Sequence, residues 1–198
     1  VIELLYNTFK DTIDINQQNS DGYTTLMLAV WFSINVKTVQ YLCDAFKDTV
    51  DISIQDNDGN TALMLAAKNK NEQVIEYLCD TFKDKIDINK RNNDGNTALM
   101  IAAYNRKKLV TRYLCETFKN TININIQNSD GNTALMYAAW LNRNKSTEYL
   151  CDAFKDTINI NTQNNEGNTA LSLAVQYYVI HLKIELISIY RMMMVILH

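Results

Sequence analysis

Residues 58–67 read DGNTALMLAA, and the phrase returns as DGYTTLMLAV at 21–30, DGNTALMIAA at 94–103, DGNTALMYAA at 130–139 and EGNTALSLAV at 166–175. Each copy carries one glycine. Gly22, Gly59, Gly95, Gly131 and Gly167 are all the glycines of the chain, and they stand 37, 36, 36 and 36 residues apart. Spacing this regular marks a repeat array. Asp-Gly predicts a tight turn, with Gly taking positive φ at no steric cost. The Thr that follows predicts a helix N-cap. Leu, Met and a small Ala pair then recur at helical spacing, which predicts a short helix facing a core, with room for a close neighbour.

Two further phrases complete the unit. VQYLCDAFKD (39–48), VIEYLCDTFK (74–83), VTRYLCETFK (110–119) and STEYLCDAFK (146–155) predict a longer amphipathic helix. In 74–82, Val74, Ile75, Leu78, Cys79 and Phe82 form one apolar stripe. IDIN at 86–89 and ININ at 122–125 and 158–161 alternate apolar and polar residues, as a short extended arm would. The unit is turn, short helix, longer helix, arm.

This unit resembles the ankyrin repeat, whose signature is DG-x-T-P-L-H-x-A-A followed by a leucine-rich second helix and D-V-N. The resemblance covers nearly the whole chain. It implies an all-α repeat solenoid, with a β-turn or hairpin arm and an antiparallel helix pair in each repeat. The array then divides into a partial unit at 1–18, units at 19–55, 56–91, 92–127 and 128–163, and an atypical terminal unit at 164–198. Three departures stand out. Ala or Thr replaces the motif Pro. Met, or Ser in the last unit, replaces the motif His, so the hydrogen bond of that His is expected to be lost. The period is 36 residues against about 33 in the family. The extra residues follow the Cys and include Phe46, Phe82, Phe118 and Phe154, which predicts a longer second helix packing one added Phe per repeat.

Composition excludes several alternatives. Apolar residues make up 47% of the 198, enough for a buried core. A net charge of −3 gives no footprint for nucleic acid. Apolar runs near the C-terminus are broken by Lys183, Glu185 and Arg191, so no membrane span is expected. Starting at Val1 inside a recognisable unit, the chain reads as a piece of a longer array. Cys43, Cys79, Cys115 and Cys151 occupy one equivalent site in successive units. Stacked helices lie about 8–10 Å apart, beyond the roughly 7 Å Cα limit for a disulfide. Free buried thiols, and an intracellular, cytoplasmic setting, are therefore expected. His181 and His198 are the only histidines, and neither belongs to a triad or metal pattern. No phosphate loop is present. No catalytic residue, cofactor or metal is expected.

The resemblance implies a concave groove lined by turn tips and first helices. The tips barely vary, whereas the site nine residues after each Gly does: Trp31, Lys68, Tyr104, Trp140 and Gln176. Both tryptophans of the chain occur at this site, and its next neighbours include Phe32, Leu141 and Tyr177. Exposed aromatic residues in a row suit a partner-binding surface, or else they pack over neighbouring helix ends. The turns between paired helices are basic, at Lys68 and Lys70, at Arg106, Lys107 and Lys108, and at Arg143 and Lys145. They predict a ridge that is either a solvated face or a steering surface for an acidic partner. Asn16, Asn89, Asn125 and Asn161 match the arm Asn of the family, whose implied role is to stabilise the arm.

Both ends are abnormal. Residues 1–18 hold a second helix and arm without a first helix. IELISI (184–189) still tracks the second-helix phrase, and YRMMMVILH follows. This reads as a terminal helix folded back on the last unit, or as a surface for docking or self-association through 184–197. The expected function is a protein-interaction module. The alternatives are a self-associating array and the targeting part of a larger protein or effector.

Overall fold

In the computed structural model, which describes residues 2–32, 36–69, 71–105, 108–141 and 144–196, the helices in chain order are α1 (Ile2–Phe9), α2 (Thr25–Phe32), α3 (Lys37–Ala45), α4 (Ala62–Lys68), α5 (Glu72–Phe82), α6 (Ala98–Tyr104), α7 (Lys108–Thr117), α8 (Ala134–Trp140), α9 (Asn144–Phe154) and α10 (Ala170–Ile196). Each short helix starts on its threonine. Thr24, Thr61, Thr97 and Thr133 Oγ1 accept the backbone N–H of Met27, Met64, Met100 and Met136 over 3.2–3.3 Å. One orphan donor of the first turn is satisfied in this way, worth about 1 kcal/mol per cap.

The reciprocal bond expected to be lost with the motif His survives in altered form. Thr24 N–H donates to Met27 Sδ (3.5 Å) and Thr133 N–H to Met136 Sδ (3.4 Å). In the last unit Thr169 N–H donates to Ser172 Oγ (2.9 Å). A thioether is a weak acceptor, but here it lies where a backbone donor would otherwise be buried without a partner.

The short helices α2, α4, α6, α8 and α10 pack in one file. In the second file, α5 packs on α7, and α7 on α9. The stripe read from 74–82 is buried in full, from Val74 at 0% exposure to Phe82 at 3%. Ala66, Ala67, Ala102, Ala103 and Ala138 are buried between neighbouring short helices. The added phenylalanines, Phe46, Phe82, Phe118 and Phe154, are all core. The second helix runs to the Phe in α5 and α9, and stops one residue short of it in α3 and α7. Tyr77 Oη donates to Asp44 (2.8 Å) and Tyr113 Oη to Asp80 (2.6 Å), tying successive second helices on their outer side.

The arms are turns, not extended strands. Among the described residues none is in a strand. In four arms the third residue is an Ile buried in the core, at Ile15, Ile52, Ile88 and Ile124, whereas Ile160 in the last arm is 59% exposed. The neighbours of the Ile are held by Asx bonds, such as Asn89 N–H to Asp87 Oδ1 (3.0 Å). Burying the Ile while turning the polar flanks out satisfies the alternation without strand pairing. The arm Asn reaches across to the next unit. Asn89 Nδ2 donates to the Thr121 carbonyl (2.7 Å), and Asn123 N–H donates back to Asn89 Oδ1 (2.8 Å). Asn16 and Asn125 make the same pair of bonds.

The terminal unit departs most from expectation. No turn separates a first from a second helix: α10 is one continuous helix of 27 residues. In the units before it, α4 and α6 end at Asn69 and Asn105. The corresponding stretch of the last unit, Gln176–Ile180, offers no Asn or Gly at which to stop. Among the described residues of α10, only Ala170 and Leu173 enter the core. The helix does not fold back, and Val175, Tyr178, Ile180, Leu182, Leu186 and Ile187 are each more than half exposed. By length and composition alone, Ala170–Ile187 is apolar enough to cross a bilayer, with a mean hydropathy of 1.3. The expectation of no such segment is corrected on that point, because the two charges in the window are too few to lower its average. At the other end α1 buries none of its residues, and Tyr6 meets Phe46 edge-on at 5.1 Å.

Among the described residues, one buried hydroxyl has no partner. Thr111 is fully buried in α7, and its Oγ1 makes no hydrogen bond. The equivalent places in α3 and α5 hold Val39 and Ile75. Thr111→Val keeps the shape and removes an unsatisfied polar atom, so it should stabilise the array by about 1 kcal/mol. Chemical denaturation of the variant checks this, and a loss of stability would mean that the hydroxyl has a partner in solution.

The cysteines are free, and Cys43, Cys79 and Cys115 are buried. Burial pushes these three thiols from 9.0 up to about 12, and the neighbouring Asp44, Asp80 and Glu116 add to the rise. Above pH 9 the unfolded chain sheds these protons while the folded chain keeps them, so stability falls as pH rises toward 12. Tyr77 and Tyr113, raised by burial and by their Asp partners, act in the same direction. The melting temperature should fall from pH 9 upward, and less steeply in the Cys43→Ala, Cys79→Ala, Cys115→Ala variant. An unchanged slope in that variant would remove the thiols as the cause.

Candidate partner-binding groove

The turn tips are built by their first Asn or Asp. Asn92 Oδ1 accepts the Asn96 N–H (2.8 Å), while Gly95 N–H donates to the Asn92 carbonyl (2.8 Å). Gly95 takes a φ of +79°. Each tip then bonds the one before it. Asn57 N–H donates to the Asp21 carbonyl (3.1 Å), Asn93 to Asp58 (3.0 Å), Ser129 to Asp94 (2.9 Å) and Asn165 to Asp130 (3.0 Å). Side-chain amides run alongside: Asn92 Nδ2 to Asn60 Oδ1 (3.0 Å), Asn128 to Asn96 (3.0 Å) and Asn164 to Asn132 (2.9 Å). The tips therefore form one hydrogen-bonded edge. It presents one exposed carboxylate per unit, from Asp21, Asp58, Asp94, Asp130 and Glu166.

Between this edge and the short helices lies a trough of about 560 Å³. Asn60, Asn96, Asp94 and Asp130 line its tip side, and Lys68, Tyr104, Tyr137 and Trp140 its helix side. A second trough of about 380 Å³ continues toward the last unit, sharing Asp130, Tyr137 and Trp140 and adding Glu166 and Leu173. Tyr104 and Tyr137 meet edge-on at 5.4 Å. Asn128 Nδ2 donates to Tyr137 Oη (2.8 Å). Burial raises the Tyr137 hydroxyl above its ordinary value, and Asp130 adds to this.

The structure thus brings together Lys68, Tyr104 and Trp140 of the residues expected to bind. Tyr104 is 49% exposed and Trp140 43%. Trp31 is half-buried, and Lys68 Nζ sits 5.6 Å from its ring centre. This pair realises the packing alternative read from the sequence, because the ring is covered by the next unit. Phe32 is 73% exposed at the end of α2 and lies outside both troughs. Leu141 closes α8, its N–H bonded to the Tyr137 carbonyl. Tyr177 stacks on His181 at 3.8 Å within α10. Leu141 and Tyr177 do not line the troughs.

Of the expected basic ridge, Lys70, Arg106, Lys107 and Arg143 lie outside the described residues, and Lys108 is described only as the first residue of α7. Lys145 pairs with Glu148 at 2.8 Å, so part of its charge is met within α9. Two features of the groove escaped the sequence reading. Tyr137 stands where the other units have Leu28, Leu65, Ile101 and Leu173, and that departure was its signal. The tip carboxylates were visible but uniform, so variation could not point to them.

Among the described residues no group of three or more His, Cys, Asp or Glu is placed to hold a metal ion. No curated protein matches the chain. A family model described as ankyrin repeats, in three copies, matches residues 1–92, 38–128, 84–164 and 119–189. Ankyrin repeats are generally protein-interaction modules. With these matches spanning residues 1–189, and with the capped helix pairs and stacked tips already described, the chain belongs to the ankyrin-repeat family.

Proposed function

We propose that the chain is a non-catalytic module that holds a protein partner in the groove between its turn tips and short helices. The observation that carries this reading is the run of exposed rings, Tyr104 and Trp140, in troughs whose other wall is a rigid hydrogen-bonded edge. Large rings held on helices offer contact area at low entropic cost. The four free thiols are in keeping with an intracellular, cytoplasmic setting. In affinity capture, Tyr104→Ala with Trp140→Ala should reduce partner recovery about tenfold or more. The melting temperature of that variant should stay close to the parent's. Unchanged recovery would remove the groove from the binding surface.

A second reading rests on α10, which leaves apolar side chains exposed on a helix reaching beyond the stack. Patches of this kind mark association surfaces, and the reading is self-association through α10. Light scattering should then show a concentration-dependent rise in mass that Leu182→Glu with Leu186→Glu abolishes. A constant monomer mass rules it out.

A further inference from the structure

The chain already seats one cation over a ring of the aromatic site. Trp31 stands nine residues after its glycine, and the residue at the same site of the next unit, Lys68, lays its ammonium over the Trp31 ring. Trp140 stands at that site in its own unit. The residue that would take the place of Lys68 over it is Gln176, which is uncharged and donates to Asn168 Oδ1 (3.0 Å). Of the two troughs that Trp140 lines, the one toward the last unit is lined by the carboxylates of Asp130 and Glu166 and by no basic residue among those described, whereas Lys68 lines the other. The Asp130 carboxylate has no hydrogen bond or ion pair among the described residues, and the Glu166 carboxylate accepts one bond, from Asn168 Nδ2 (3.1 Å). Carboxylates at a rim and aromatic faces below attract a cation for independent reasons, one by charge and the other by the ring quadrupole.

Resting on the groove reading above, we propose that its occupant is a basic segment of the partner, one of whose Lys or Arg side chains lies over Trp140 between Asp130 and Glu166. Asp94 and Asp58 continue the same edge, one carboxylate per unit. Units stacked about 10 Å apart match about every third residue of a chain in the polyproline-II form, which rises about 3.1 Å per residue with three residues per turn and so keeps every third side chain on one face. The segment is therefore extended, with Lys or Arg recurring at about every third position. This partner is opposite in charge to the acidic one expected from the basic turns.

The test uses labelled peptides of about twelve residues in Pro-containing sequence that favours the polyproline-II form, bearing Arg, Lys, citrulline or Glu at every third position. Fluorescence anisotropy with the full chain should show Arg and Lys peptides binding about tenfold or more tighter than citrulline and Glu peptides. Added salt should weaken them. Asp130→Asn with Glu166→Gln should remove most of that preference, and Trp140→Leu should weaken binding although it keeps an apolar side chain. Citrulline binding as tightly as Arg, or no binding by Arg and Lys peptides, overturns the proposal. If citrulline peptides bind and still depend on Tyr104 and Trp140, the groove reading survives while the cation inference falls. If neither ring affects any bound peptide, both fall.

Discussion

The structure depends on the contact between one turn tip and the next. At each junction a backbone N–H of one tip bonds a carbonyl of the tip before it, over 2.9–3.1 Å. That approach is possible because a glycine stands at the contact. A Cβ built on Gly22 would lie 2.5 Å from the Asn57 backbone nitrogen, and one on Gly59 would lie 2.7 Å from that of Asn93. Positive φ and close approach thus make the same demand at one position. At Gly167 a Cβ would meet nothing within 4 Å, and only the φ of +78° makes the demand.

Packing follows from that register. A single unit cannot bury its own apolar face, so the file of short helices and the file of second helices each draw their core from neighbours. Alanines where short helices meet keep the units close, and the Asn staples of the arms span the same junctions on the other side of each unit. The added Phe of the 36-residue period fills the end of the second helix, where Phe46, Phe82, Phe118 and Phe154 are buried, whereas Phe9 at the same place in the first, partial unit is half exposed.

The groove is the by-product of this regularity. Tips that bond in a row must place their carboxylates in a row, and short helices that stack must line up their C-terminal ends. Where those ends carry Tyr and Trp, an acidic edge faces an aromatic wall. Lys68 covers Trp31, whereas Trp140 faces a neutral neighbour, so one repeated site serves stability at one junction and offers a surface at another.

By itself the sequence determined the period, the turn–helix–helix unit, the capping threonines, the free cysteines and the aromatic site nine residues after each glycine. These are local or periodic properties, and a one-dimensional pattern carries them. What only the tertiary structure decided is which of those residues share a surface. Trp31 and Trp140 are identical in the pattern, and they differ because one has Lys and the other Gln in the following unit. The turn form of the arms, the sulfur acceptors at Met27 and Met136, and the place of Tyr137 in the groove all depend on what lies across a junction. The unbroken course of α10 follows the missing stop signal between Gln176 and Ile180, and the second-helix resemblance of 184–189 concealed it. Patterns along a chain fix what each residue can do, and contacts between units decide which of them are free to do it.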